Sequence, residues 1–336
     1  MPPKILLLAH DNKIGDSIIH TGILNPIVKI WPNAEIGVLC GDINLVLYKN
    51  HPNVKWLHVS PSRSILIRAF TSLKARFKNY DYLVYFGLDV NKSSFKKICS
   101  LVNPKQRILF ANPTKKNASD IVLEGDWSNC HISNRHLTFL HWIGSKLKHY
   151  QYDIKLNANA ERTAKNQLSK SKSTKYIIIN SRGSSKDKCL PNDWVEELII
   201  RLRKFYPKHQ FLILSTSKKD ELNLLDKFSR IDKNLKIIPY KSSVDSNLAV
   251  IKNIDAIITT DTYAVHAACA WNIPVLALYS IHAIRDNHHM IFGPQSERYT
   301  QLIPPKRGIE AISIKETVDA FNRLMKHKKI QDCNYL

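Results

Sequence analysis

The chain has 336 residues, 44% of them apolar and 23% charged, a globular composition long enough for two ordinary domains and not that of a disordered protein. Lys and Arg number 50 against 28 Asp and Glu, a formal charge of +22, which either selects anionic partners (phosphorylated substrate, acidic membrane, nucleic acid) or reflects drift on solvated lysine-rich faces. Six scattered cysteines without a C-x-x-C pair argue against a zinc site and a disulfide framework, and no apolar run approaches the length of a membrane span; the opening Met1–Ala9 is too short for a secretory core, so a cytosolic protein is expected.

In chain order, Lys4–Ala9 reads as a buried strand. Asp16–Trp31 reads as a helix kinked by Pro26. Strands are predicted at Glu35–Cys40, Trp56–Val59, Tyr82–Phe86 and Arg107–Phe110, separated by basic amphipathic segments. Asn157–Thr174 is polar and without strand signal, a linker or a long solvated helix. A second series starts with a strand at Tyr176–Asn180. Asp193-Trp194-Val195-Glu196 has the form of a capping box, opening a helix with Trp194, Val195, Leu198, Ile199, Leu202 and Phe205 on its apolar face. Strands follow at Phe211–Leu214 and Leu235–Ile238, helices at Leu222–Phe228 and Asn247–Lys252, a strand at Ile254–Thr260, another apolar run at Val275–Tyr279, and a basic amphipathic helix near Ile314–Lys329. Strand and helix alternating in this way indicate an α/β protein with parallel sheets, whose ligands sit beyond the carboxyl ends of the strands.

Three segments fall on that edge. Ile14-Gly15-Asp16 follows the first strand, with Asp16 at an expected N-cap position; it either caps a helix or presents a carboxylate to an attacking hydroxyl. Asn180–Lys188 follows the first strand of the second series. It is either a solvated basic loop or one that meets a diphosphate with Arg182, Lys186 and Lys188. Asp261-Thr262-Tyr263-Ala264-Val265-His266 turns a buried strand into a helix of small residues. The free N–H groups at that helix start and its dipole favour an anion, although Asp261 and Thr262 serve equally as caps. No Walker loop, G-x-G-x-x-G, G-x-S-x-G or D-x-D occurs, so charge on a bound nucleotide would be met by helix dipole, Lys and Arg, not by a metal.

Together these segments resemble glycosyltransferase family 9, the heptosyltransferases. The resemblance runs from Lys4-Ile5-Leu6-Leu7 and Ile14-Gly15-Asp16 through Trp31–Ile36. It continues with Lys188-Cys189-Leu190-Pro191 and Trp194, like the family's K-x-W-P followed by Trp, then Thr260–Ala268, like N/T-D-T-G-x-x-H-x-A, and Ile273–Leu278. It implies a GT-B architecture of two Rossmann-like domains with parallel sheets facing a central cleft. Residues 1–165 would bind acceptor and 166–310 nucleotide sugar, with 311–336 as a helix packing back toward the first domain.

The implied activity is inverting, metal-independent transfer of a heptose from ADP-heptose to the lipopolysaccharide inner core, by a cytoplasmic protein peripheral to the inner membrane. No cofactor and no nucleic-acid partner is expected. By the same resemblance Asp16 is the general base, and Lys13 and Gly15 lie on the acceptor side. Lys188, Ser181, Arg182, Asp261, Thr262, Tyr263 and His266 lie on the donor side. Three departures bear on donor identity: Tyr263 replaces the family Gly, Leu190 the Trp, and Gly22 the usual Pro of the first helix. They leave open a family 9 transferase with another sugar or acceptor, or a sugar-nucleotide-binding protein without turnover.

Overall fold

The computed structural model describes residues 2–61, 64–168, 174–228, 235–239, 242–285, 287–305 and 308–326. The chain divides into two compact units, Met1–Lys155 and Leu156–Leu336. Strands of the first unit are β1 (Lys4–Ala9), β2 (Glu35–Cys40), β3 (Val54–Val59), β4 (Tyr82–Val84), β5 (Gln106–Leu109) and β6 (Asp120–Val122). Its helices are α1 (Ile14–Thr21), α2 (Leu24–Ile30), α3 (Val46–Lys49), α4 (Ile65–Arg76), α5 (Ser93–Val102) and α6 (Ser133–Trp142). The second unit contains β7 (Lys175–Asn180), β8 (His209–Leu214), β9 (Leu235–Ile238), β10 (Ala256–Thr260), β11 (Val275–Leu278) and β12 (Tyr299–Leu302). Helices α7 (Ala158–Gln167), α8 (Asn192–Phe205), α9 (Lys218–Phe228), α10 (Val244–Lys252), α11 (Tyr263–Ala270), α12 (His282–Arg285), α13 (His288–Ile291) and α14 (Ile314–Lys326) accompany them.

Each unit holds a six-stranded sheet, ordered β3-β2-β1-β4-β5-β6 in the first and β12-β11-β10-β7-β8-β9 in the second. Every strand pair is parallel. This is the Rossmann arrangement twice over, and the strand order reverses between β1 and β4 and again between β7 and β10. The central strands are apolar throughout because both faces are covered: Ile5, Leu6, Ile177, Ile178, Ile257 and Ile258 are wholly buried. In the second unit Trp194, Val195, Leu198 and Leu202 of α8 pack on this sheet with Val318, Phe321 and Leu324 of α14. The Trp194 indole donates to the Ile312 carbonyl at 3.1 Å.

Several sequence expectations shift. The first helix does not run to Trp31 with a kink at Pro26. It ends at Thr21 and α2 restarts at Leu24, with Gly22 between them. The break falls beside Gly22, where an added Cβ would lie 2.3 Å from the Gln151 carbonyl oxygen; Pro26 sits in the first turn of α2, where its missing N–H costs nothing. The proposed capping box does not form, because α8 begins at Asn192 with Pro191 as N-cap, and Asp193 and Glu196 pair instead with Lys227. Phe205, placed on the apolar face of that helix, is 58% exposed at its last position.

The unit division falls at Lys155/Leu156, not after residue 165. Helix α7 belongs to the second unit because Ala160 and Ala164 are buried and the Asn157 amide donates to Asp245 of α10 at 2.5 Å. Of the segment expected as linker, residues 169–173 lie outside the described residues. The described part of the terminal helix, α14, packs on α8, β11 and β12 of its own unit, and residues 327–336 lie outside the described ones. No helix among the described residues is long and apolar enough to cross a membrane.

Candidate active site

Both sheets carry their chemistry-bearing side chains where the strand order reverses. In the first unit the turn after β1 passes through Asn12, whose φ of 64° is left-handed, a conformation Asn tolerates better than most residues. The Asn12 carboxamide fixes this turn to the end of β2, donating to Asp42 at 2.8 Å and accepting from the Ile43 amide at 2.9 Å. Asn44 completes the clamp by donating to the Ala9 carbonyl at 2.9 Å and to the Ser17 hydroxyl at 2.7 Å. Sequence reading passed over both asparagines, since their partners lie some thirty residues away along the chain.

Helix α1 starts earlier than expected. Lys13 is its N-cap, so Ile14, Gly15 and Asp16 form the first turn and Asp16 does not cap it. The Asp16 side chain is 20% exposed, with the Lys13 ammonium at 3.5 Å. Burial raises the Asp16 carboxyl to about 6, against the opposing pull of Lys13 and, more weakly, of the buried Arg135 guanidinium. Arg135 is itself held by the carbonyls of Phe86 and Trp127, at 2.8 and 2.9 Å. Beside this turn lies a cavity of about 300 Å³ at the carboxyl ends of β1, β3 and β4; Lys13, Arg68 and Lys92 line it with His10, Asp11 and Tyr85. Burial lowers His10 to about 4, leaving it neutral near pH 7. Nothing in the sequence signals that Arg68 or Tyr85 joins Lys13, because only the fold brings α4 and the end of β4 beside β1.

In the second unit the loop after β7 and the turn after β10 meet. The Asn180 amide donates to the hydroxyls of Thr259 and Thr262, at 3.0 and 2.9 Å. Thr262 is the N-cap of α11 and accepts from the Ala264 amide at 3.2 Å, so the capping role is real. Lys188 reaches across to Asp261 at 2.5 Å. Gly183 lets the loop fold this tightly: a Cβ there would stand 2.4 Å from the Lys188 Cβ and 2.7 Å from its carbonyl oxygen.

The remaining expected donor-side residues divide. Arg182 is committed within the protein, donating to Asp220 at 2.9 Å, to the Leu190 carbonyl at 2.7 Å and to Asn192 at 2.5 Å. These contacts brace the loop and take up three of the five N–H groups of the guanidinium. Ser181 is fully buried and its hydroxyl has no partner among the described residues. Tyr263 opens α11 and places a ring where the resemblance expects glycine; burial pushes its hydroxyl above the usual tyrosine range. His266, one turn into α11, is lowered to about 4 by burial; near neutral pH its uncharged ring offers one N–H donor and one acceptor nitrogen. Among the described residues no group of three or more His, Cys, Asp or Glu is arranged to hold a metal ion.

Chemically, the second unit presents a helix N-terminus, a threonine hydroxyl and an ammonium at one strand edge, an array suited to an anion. The first presents a half-buried carboxyl whose proton affinity lies close to neutrality. Residues 119–310, more than half of the chain, match the model of glycosyltransferase family 9 (heptosyltransferase). The chain belongs to glycosyltransferase family 9. This transferase is 21% identical over 326 residues to an Escherichia coli K12 protein provisionally named lipopolysaccharide heptosyltransferase 4, covering 96% of this chain and 87% of the relative. It is 19% identical over 288 residues to the lipopolysaccharide core heptosyltransferase OpsX of Haemophilus influenzae, covering 83% and 80% of the two chains. It superposes on the E. coli heptosyltransferase WaaC with ADP at a TM-score of 0.73 and 13% identity, over 96% of this chain and 99% of the other. At such identity the likeness speaks for the fold, which is GT-B: two Rossmann-like units, each with a six-stranded parallel sheet. The matched span includes Lys188, Asp261, Thr262 and His266; Asp16 precedes it.

Proposed function

We propose that this glycosyltransferase moves a heptose from ADP-heptose onto the inner core of lipopolysaccharide, with inversion and without a metal ion, at the cytoplasmic face of the membrane that carries the acceptor. The lipopolysaccharide assignments of its two relatives and the ADP in the WaaC structure support this reading. The observation that carries it is Asp16, a carboxyl raised to about 6 by burial in the first turn of α1. Such a group is ionised at neutral pH yet basic enough to take a proton from a hydroxyl as that oxygen attacks.

In this reading the acceptor oxygen displaces the diphosphate in one step, giving inversion at the anomeric carbon. The Asp16 carboxylate takes the hydroxyl proton. The charge growing on the departing ADP is met by Lys188, by the Thr262 hydroxyl and by the N-terminal amides of α11. Lys188 now spends its charge on Asp261, so a bound diphosphate competes with that carboxylate for the ammonium. Tyr263, a large ring in place of the family glycine at the start of α11, favours one second reading, in which the donor carries a different sugar.

Incubating the protein with a panel of ADP- and UDP-sugars and truncated lipopolysaccharide acceptors, with nucleotide release as the readout, tests the proposal. ADP release with ADP-heptose alone is expected. Release with another nucleotide sugar would replace the donor assignment, and donor binding without any release would replace the transferase reading.

A further inference from the structure

Helix α4 is amphipathic in the wrong sense for a helix on a protein surface. Its inward face consists of small and polar residues: Thr71, Ser72 and Ala75 are buried, the Thr71 hydroxyl donates to the Val59 carbonyl at 3.4 Å, and the Ser72 hydroxyl donates to the Arg68 carbonyl at 2.8 Å. Its outward face carries Leu66, Phe70, Leu73 and, at the C-cap, Phe77, with exposures of 79%, 59%, 40% and 82%. Spacings of four, three and four residues place these side chains in a single stripe along the helix. Packing against α5 and β3 uses the other side of the helix, so folding leaves the stripe in water. An apolar patch of this kind on an otherwise well-buried domain marks an interaction surface.

Cations flank the stripe. Lys74 and Arg76 are exposed to either side of it, with the Lys74 ammonium 4.4 Å from the centre of the Phe70 ring. On the adjacent α5 and at its start, Lys92, Lys96 and Lys97 are exposed as well, and α4 itself contains no acidic residue. A leucine–phenylalanine ridge between basic flanks complements an acidic bilayer, acyl chains below and anionic headgroups at the sides. A second protein copy bearing the same +22 charge complements it poorly.

We propose that α4 is a bilayer-docking helix: Leu66, Phe70, Leu73 and Phe77 enter the acyl region while Lys74 and Arg76 engage anionic headgroups. The purpose of this surface rests on the proposed lipid-anchored acceptor; the surface itself does not.

Vesicle co-sedimentation of the full chain, without donor or acceptor, tests the docking separately from transfer. Vesicles of phosphatidylethanolamine with phosphatidylglycerol should bind the protein, and phosphatidylcholine vesicles should bind it at least tenfold more weakly. The combined L66S, F70S and F77S substitutions should reduce binding to the acidic vesicles at least tenfold while the far-ultraviolet circular dichroism is unchanged. K74E with R76E, which leaves the apolar stripe intact, should reduce it too and is the check if the first variant fails to fold. Acidic-vesicle binding that survives both sets of changes overturns the proposal. So does a wild-type protein that ignores vesicles, or one that is a dimer dissociated by the serine substitutions while vesicle binding persists. If docking fails but a water-soluble, deacylated acceptor is still glycosylated, only the role of α4 falls; if docking holds and no acceptor is glycosylated, only the transferase reading falls.

Discussion

At the level of single residues the second unit turns on Lys188. Its ammonium joins the loop after β7 to the turn after β10 through Asp261, and it is a quarter exposed, so a ligand reaches it. Removing it strips a cation from the anion-binding edge and leaves the Asp261 carboxylate uncompensated there. A charged hydrogen bond is worth about 1.5–3 kcal/mol, so Lys188→Ala should lower kcat/KM for the donor by roughly 10- to 100-fold. Steady-state kinetics with donor varied at saturating acceptor measure this, and an unchanged value would remove Lys188 from the donor site. The Asp261–Thr262 turn was legible in the sequence because strand, turn and helix follow one another without a break, and Lys188 through the likeness of Lys188–Pro191 to the family motif. The bracing role of Arg182 was not legible: Asp220 and Asn192 engage its guanidinium, and neither contact is visible before the chain folds.

Among the elements, the apolar strands and amphipathic helices declared themselves by period, while the edge strands β6 and β12 did not. β6 has three residues and β12 four, both incompletely buried, so neither offers an apolar run to read. The break between α1 and α2 falls at residues 22–23, ahead of Pro26. A proline in the first turn of a helix lacks only an N–H that has no partner there. At Gly22 the constraint comes from residues far along the chain, Tyr150 and Gln151, pressed against the bare α-carbon. Gly22→Ala should therefore destabilise the first unit by about 1–3 kcal/mol, the usual cost of forcing atoms into a filled site. Thermal unfolding monitored by circular dichroism should show a midpoint several degrees lower. An unchanged midpoint would mean that the 150–151 segment moves aside freely. In the sequence Lys74 and Arg76 mark α4 as one of several basic segments suited to anionic lipid, but its apolar stripe shows only in the fold, which decides the side of the helix that looks outward.

For the molecule as a whole, duplicated strand–helix alternation was enough to give two parallel sheets, and the switch points then fix where each sheet displays its chemistry. The unit boundary was harder to read. α7 looks solvated in sequence, and its small buried face of Ala160 and Ala164 shows its allegiance only against α10. The proposed division of labour gives the base to the first unit and the nucleotide sugar to the second. It therefore demands that a change at Asp16 alter the proton transfer and spare donor binding. The direct measurement is the pH dependence of kcat/KM with saturating donor, for the wild type and for Asp16→Asn. A base with its carboxyl raised to about 6 is protonated and inactive below that pH and ionised above it, so the wild-type rate should climb through pH 6 to a plateau. Asp16→Asn should fall about 10²- to 10⁴-fold, lose that rise, and bind donor as before. A variant that keeps both the rate and the rise near pH 6 would contradict the account.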